Sequence, residues 1–194
     1  MNQSFVPAIG FFGKVPSRGD FVRGGLPADF VAPWDAWCQR MMSDSRNALG
    51  EVWEAAWLEA PVWCFALSPG ACGEGAALGV WLPSVDRVGR YFPLTIAMAA
   101  RCPLAELAAR AGGFLDRVEQ IGRDALEFDL TPADLARRTA EASIIGAPDP
   151  ARTAFRTGWW TVGSPRVASA HHAISGLPGP ACAERMLADP EMAP

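Results

Sequence analysis

Lysine and tyrosine are almost missing from this chain, which carries one of each, Lys14 and Tyr91, in 194 residues. Sixteen arginines supply the rest of the positive charge against twenty-one acids, for a net charge of −4. A protein that tracks a phosphate backbone needs a basic stripe, and none is present, so a nucleic-acid partner is not expected. The five cysteines (Cys38, Cys64, Cys72, Cys102 and Cys182) are odd in number and include no C-x-x-C pair. Structural zinc sites show paired ligands at short spacing, so neither a metal nor a cofactor is expected. Free buried thiols in a reducing compartment are the simpler reading.

Long apolar runs are also missing. No stretch approaches the roughly 20 apolar residues of a membrane span. The opening Met1 to Pro7 lacks the basic and apolar regions of an export signal. A cytoplasmic protein with no membrane insertion is expected. Histidine is confined to His171 and His172, which in a strand would face opposite sides of the sheet and not form one site. Gly-x-Ser-x-Gly, the nucleophile-elbow pattern, does not occur.

What is abundant is apolar and aromatic: half the residues are hydrophobic, with eight Trp and ten Phe. That supplies the area for a substantial core, and the length suits one domain, residues 1–194, with 189–194 as a frayed tail. Ala8 to Val15 reads as a first strand, apolar on both faces and therefore central. A Gly/Pro-rich loop follows to Pro27. Asp29 then caps a helix with apolar positions at Trp34, Trp37, Cys38, Met41, Ala48, Val52 and Ala56, breaking near Gly50 and holding Pro33 in its first turn. Strands are predicted over Val62 to Leu67, Ala76 to Leu82 and Tyr91 to Ala99. A long helix is predicted from Pro103 to Phe128. Thr131-Pro132-Ala133-Asp134 opens another, with Thr as cap and an acid at the third helical position. After the loop Ala147 to Pro150, strands are predicted over Ala154 to Val162 and Arg166 to Ile174, and a closing helix over Ala181 to Leu187. Tight turns between several strands point to an α/β (mixed α and β) domain: an αβα-type sandwich with a mixed, largely antiparallel sheet.

Two polar clusters interrupt this apolar pattern. Lys14, Ser17, Arg18 and Asp20 crowd the end of the first strand, and Asp86, Arg87 and Arg90 fill the loop before the strand at Tyr91. Gly13-Lys14 is reminiscent of a phosphate loop, but that loop needs Gly five residues before Gly13 and Ser or Thr after Lys14. Ala8 and Val15 stand there instead. Arg18-Gly19-Asp20 spells an adhesion tripeptide, a chance match in a chain expected to stay inside the cell. The clusters are either a binding edge or a set of caps and ion pairs. Arg forks pair with carboxylates, so Asp20 with Arg87 or Arg90, and Asp86 with Arg18, are candidate bridges. In Trp159-Trp160 one ring should point inward and the other outward as a contact candidate.

Gly10-Phe11-Phe12-Gly13-Lys14-Val15-Pro16-Ser17-Arg18-Gly19-Asp20-Phe21 resembles the opening signature of the TagF (ImpM) family. The match continues through Leu26-Pro27, Phe30-Val31, Trp34-Asp35 and Trp37. Leu82 to Thr95 resembles the second signature, and Trp159 to Ser164 with Gly176-Leu177-Pro178 the closing one. The segment Ala181 to Leu187 departs from the pattern: it lacks the Phe that often follows Gly-Leu-Pro, and it carries Arg185. The resemblance implies a type VI secretion accessory protein that acts after translation, as a repressor. It also implies a forkhead-associated scaffold protein of the same system as partner, a compact αβα domain and no catalytic residues. Lys14, Ser17, Arg18, Asp20, Asp86, Arg87 and Arg90 carry over as candidate binding or loop-bridging positions. The alternative is a small-molecule or nucleotide-handling enzyme built on Lys14, Ser17, Asp20 and Asp86.

Overall fold

Two segments with almost no polar side chain, Ala76–Leu82 (β4) and Leu94–Ala100 (β5), are buried along nearly their whole length. Strands covered on both faces belong at the middle of a sheet, and these two pair with each other there. The computed structural model describes residues 6–142, 157–174 and 176–189. The other strands are Ala8–Gly13 (β1), Val22–Gly24 (β2), Trp63–Leu67 (β3), Gly158–Thr161 (β6) and Ala170–His172 (β7). The seven-stranded order is β2-β1-β5-β4-β3-β6-β7. Every neighbouring pair is antiparallel, so the mixed, largely antiparallel sheet expected from sequence is antiparallel throughout among the described residues. Strand β1 lies one place in from the edge, covered by β2, and is not central.

The helices are Ala28–Leu49 (α1), Trp53–Glu59 (α2), Leu104–Arg110 (α3), Phe114–Glu127 (α4), Pro132–Glu141 (α5) and Pro180–Ala183 (α6). The two faces of the sheet bury different chemistry. Period-2 alternation sends Ala77, Trp81 and Ala97 to one face and Leu78, Val80, Leu82, Ile96 and Met98 to the other. The first face meets Trp34, Trp37, Trp53 and Trp57 of α1 and α2, together with Ala183 of α6. Small sheet residues there leave depth for indoles. The second face is mainly aliphatic and receives Leu104, Leu107, Val118, Ile121 and Leu135 from α3, α4 and α5. The result is the three-layer αβα arrangement.

Several boundaries differ from the sequence expectation. Helix α1 starts at Ala28 with Pro27, not Asp29, at the cap position, which puts Pro33 beyond the first turn. Pro33 cannot donate to the Asp29 carbonyl, and the Cys72 thiol comes in beside that stretch, donating to the Phe30 carbonyl at 3.4 Å. The helix ends at Gly50 and resumes as α2 after a 3-10 turn, near the expected break. The single helix expected over Pro103 to Phe128 is two, α3 and α4, parted around Gly112-Gly113, two poor helix formers in succession. Thr131 forms a capping box with Asp134 as expected. Strand β5 begins at Leu94 because Tyr91 makes only an isolated bridge to Val85. The expected strand over Arg166 to Ile174 is reduced to β7. The Ala147–Pro150 loop, the start of the strand expected from Ala154 and the tail beyond Asp189 lie outside the described residues.

The closing segment docks through backbone carbonyls. Trp37, Trp63 and Trp159 donate their indole N–H groups to Pro178 (2.8 Å), Met186 (3.0 Å) and Gly176 (3.3 Å). Met186 and Leu187 are buried beside Ala183, without the Phe that the resemblance leads one to expect there.

Candidate functional site

Strand β1 runs into the first polar cluster, and β4 leads out of the sheet into the second. Glycines in β1 let the neighbouring backbones come close. A Cβ on Gly10 would lie 1.9 Å from the Gly24 carbonyl, and one on Gly13 would lie 1.9 Å from the Pro93 carbonyl. Gly13 also has φ +140°. These glycines therefore serve sheet packing and not the cradling of a phosphate.

Beyond Gly13 the two loops are stitched together by backbone and side chain. Ser84 Oγ donates to the Lys14 carbonyl (2.9 Å), the Arg87 N–H donates to the Arg18 carbonyl (3.0 Å), and the Trp57 indole donates to the Ser84 carbonyl (3.1 Å). Ser17 Oγ donates to the Leu130 carbonyl (2.7 Å), tying the first loop to the entry of α5.

Asp86 sits at the centre, with only 4% of its surface exposed. One carboxylate oxygen accepts from the backbone N–H groups of Val88 and Arg90, each at 2.9 Å. The other accepts from Arg90 Nε at 2.8 Å and from Lys14 Nζ. Lys14 is itself buried, with its ammonium 5.0 Å from the centroid of the Phe21 ring. Burial pushes the Asp86 carboxyl up, but the hydrogen bond from Lys14 and those from Arg90 and Val88 outweigh it. Together they hold the group well below the usual carboxylate range. The second guanidinium arm of Arg90 donates to the Gly19 carbonyl. A saturated buried carboxylate thus clasps both loops.

The seven candidate residues fall into two groups. Lys14, Ser17, Asp86 and Arg90 form the clasp, although Arg90 keeps a half-exposed side chain. Arg18, Asp20 and Arg87 are exposed and form no ion pair among the described residues. The candidate bridges of Asp20 to Arg87 or Arg90, and of Asp86 to Arg18, are not made. Asp86 pairs instead with Lys14, just past the end of β1, and with Arg90 of its own loop. Arg18, Asp20 and Arg87 line a shallow cavity of about 280 Å³ with Ser17, Phe21 and Pro132. Phe21 (49% exposed) and Val88 (66% exposed) stand beside them as uncovered apolar groups. Neither was singled out from sequence. Val88 had a signal, the lone apolar side chain in Asp-Arg-Val-Gly-Arg.

The remaining sequence candidates divide similarly. Trp159 is fully buried on the aromatic face, and Trp160 packs partly buried against the aliphatic one, so its ring is less open than expected. His172 stacks on Trp63 with ring centroids 5.5 Å apart, while exposed His171 lies 3.2 Å from the Thr157 carbonyl. The cysteines are free thiols. Burial, aided by nearby carboxylates, pushes Cys64 and Cys72 up to about 12. No helix among the described residues is long and apolar enough to cross a membrane.

Residues 10–142, which include both loops, match the family model for the TagF N-terminal domain, described as type VI secretion system-associated. The chain belongs to the TagF family. Of solved structures, PA0076 from Pseudomonas aeruginosa PAO1 is 34% identical, covering 93% of this chain and 94% of its own, with a TM-score of 0.77. A search of curated proteins returns no match. The TagF match places the clasp and its exposed rim within the family domain.

Proposed function

We propose that this TagF-family chain is a cytoplasmic, non-catalytic accessory protein that holds the type VI secretion apparatus inactive after translation. It does so by binding the forkhead-associated scaffold protein of that system. The observation that carries the reading is the division of labour in the signature loops. Lys14, Asp86 and Arg90 neutralise one another inside the fold, while Arg18 and Arg87 stand exposed beside Phe21 and Val88.

A rigid frame presenting arginines and apolar groups suits protein recognition, where desolvated Arg and aromatic anchors dominate the energetics. The enzyme alternative needs Lys14 and Asp86 available for proton or phosphate chemistry. Both are buried and already engaged with each other, and the adjoining cavity is shallow and lined by exposed charges. The test is titration calorimetry of the purified full chain against the purified scaffold protein of the same organism. Saturable binding at micromolar affinity or tighter is expected, corresponding to about −8 kcal/mol or better. A flat thermogram at concentrations well above this, with both proteins folded, contradicts the reading.

A further inference from the structure

The rim of the clasp has a charge opposite to that of the molecule that carries it. Arg18, Arg87 and Arg90 reach the surface within one small area: the Arg87 N–H bonds the Arg18 carbonyl, and the Arg90 guanidinium bonds the Gly19 carbonyl. Among the described residues that line the cavity Asp20 is the one acid, in a chain of net charge −4. The apolar groups lie inside the same area. A Cβ on Gly19 would touch Val88 Cγ1 at 3.8 Å and Arg90 Nη2 at 4.0 Å. Phe21 lines the cavity with Arg18 and Arg87, its ring held edge-on against Phe92 with centroids 4.7 Å apart.

From this we infer that the rim takes an acidic peptide segment: Asp or Glu side chains pair with Arg18 and Arg87, and an apolar side chain between them covers Val88 and Phe21. Guanidinium forks match carboxylates bidentately. Phe21 and Val88 beside them offer apolar surface that a phosphate backbone cannot cover, and the chain's overall negative charge repels such a polyanion. Because Asp86 and Lys14 lock the loops and the Arg87 N–H bonds the Arg18 carbonyl, the backbone that carries these arginines is fixed before binding, which lowers the ordering cost of association. The inference deepens the binding reading above and rests on it, by giving the chemistry of the partner segment.

A random-peptide phage library panned on the immobilised full chain tests it. Wild type and the R18E/R87E double variant are compared after confirming equal melting temperatures. Enriched clones are expected to be rich in Asp and Glu around an apolar residue, and their synthetic peptides to bind the double variant at least about tenfold more weakly. Four results overturn the inference: neutral or basic clones, clones that bind the double variant equally, no enrichment, or a single-stranded oligonucleotide bound as tightly as the peptides. The scaffold titration run on the same two proteins separates the two ideas. Scaffold binding that falls with R18E/R87E while panning returns non-acidic clones defeats the acidic-segment chemistry alone. Acidic clones that depend on the arginines, beside a flat scaffold titration of the wild-type chain, defeat the scaffold reading alone.

Discussion

Asp86 is the residue on which the site turns, because it is a buried carboxylate with all its acceptor capacity in use. Removing one partner of a buried pair leaves the other charge uncompensated, at a cost of about 3 kcal/mol. Asp86→Asn is therefore expected to lower the melting temperature by roughly 6–12 °C in a domain of this size. Lys14→Met should do the same, and the double variant should lose less than the sum by at least about 1 kcal/mol. Additive losses would mean that the contact is energetically idle.

The pH dependence follows from the direction of the shift. The folded carboxyl titrates below its unfolded value of about 3.9, so its stabilisation is present above that pH and is lost as pH falls toward the folded value. Urea midpoints at pH 7 and pH 3 should therefore differ less for Asp86→Asn than for wild type. Asp134, also held low by its Thr131 hydrogen bonds, contributes equally to both proteins and cancels. Sequence placed Lys14, Asp86 and Arg90 in charged clusters but not in one clasp. Bridge partners depend on which strand end lies behind which loop, and the β1–β5 pairing that decides this joins strands about eighty residues apart in the chain.

At the scale of elements, apolar periodicity made α1, α2, β3 and β4 legible within a few residues, since burial on one or both faces leaves a repeating trace. The division of α3 from α4 left only a Gly-Gly trace, easily overrun by the apolar repeat on either side. The closing segment was less legible still, because its anchors are carbonyls of Gly176, Pro178 and Met186, and any residue has a carbonyl. Trp63→Phe keeps most of the ring's bulk and removes one donor, leaving the Met186 carbonyl unpaired for about 1–2 kcal/mol. The expected outcome is faster amide hydrogen exchange over residues 180–189, with β4 and β5 unchanged. Uniform loss of protection across the sheet would show instead that Trp63 supports the whole core and not the docking of α6. Gly13→Ala should be worse tolerated than Trp63→Phe, since its Cβ would meet the Pro93 carbonyl at 1.9 Å. A fully folded Gly13→Ala protein, judged by its melting curve, would contradict this account of the signature glycines.

At the scale of the molecule, the signature loops combine a structural and a presenting part. The same stretch of sequence braces the open end of β1 against the exit of β4 and displays Arg18, Arg87, Phe21 and Val88. A sequence motif does not distinguish the two uses, which is why all seven charged or polar positions stood as equal candidates until burial separated them. The most direct measurement compares Arg18→Glu, Arg87→Glu, Arg90→Glu and Asp86→Asn for melting temperature and scaffold affinity in the same samples. On the proposed reading, exposed Arg18 and Arg87 contribute about 0–1 kcal/mol to folding and about 2 kcal/mol or more to scaffold binding. Their reversal should leave melting nearly unchanged while affinity falls at least about tenfold. Arg90→Glu should lose both, as a member of the clasp with an exposed edge. Asp86→Asn should melt early yet bind in proportion to its folded fraction. Contradiction would come from Arg18→Glu and Arg87→Glu proteins that bind the scaffold as tightly as wild type, or that lose affinity only as far as they unfold.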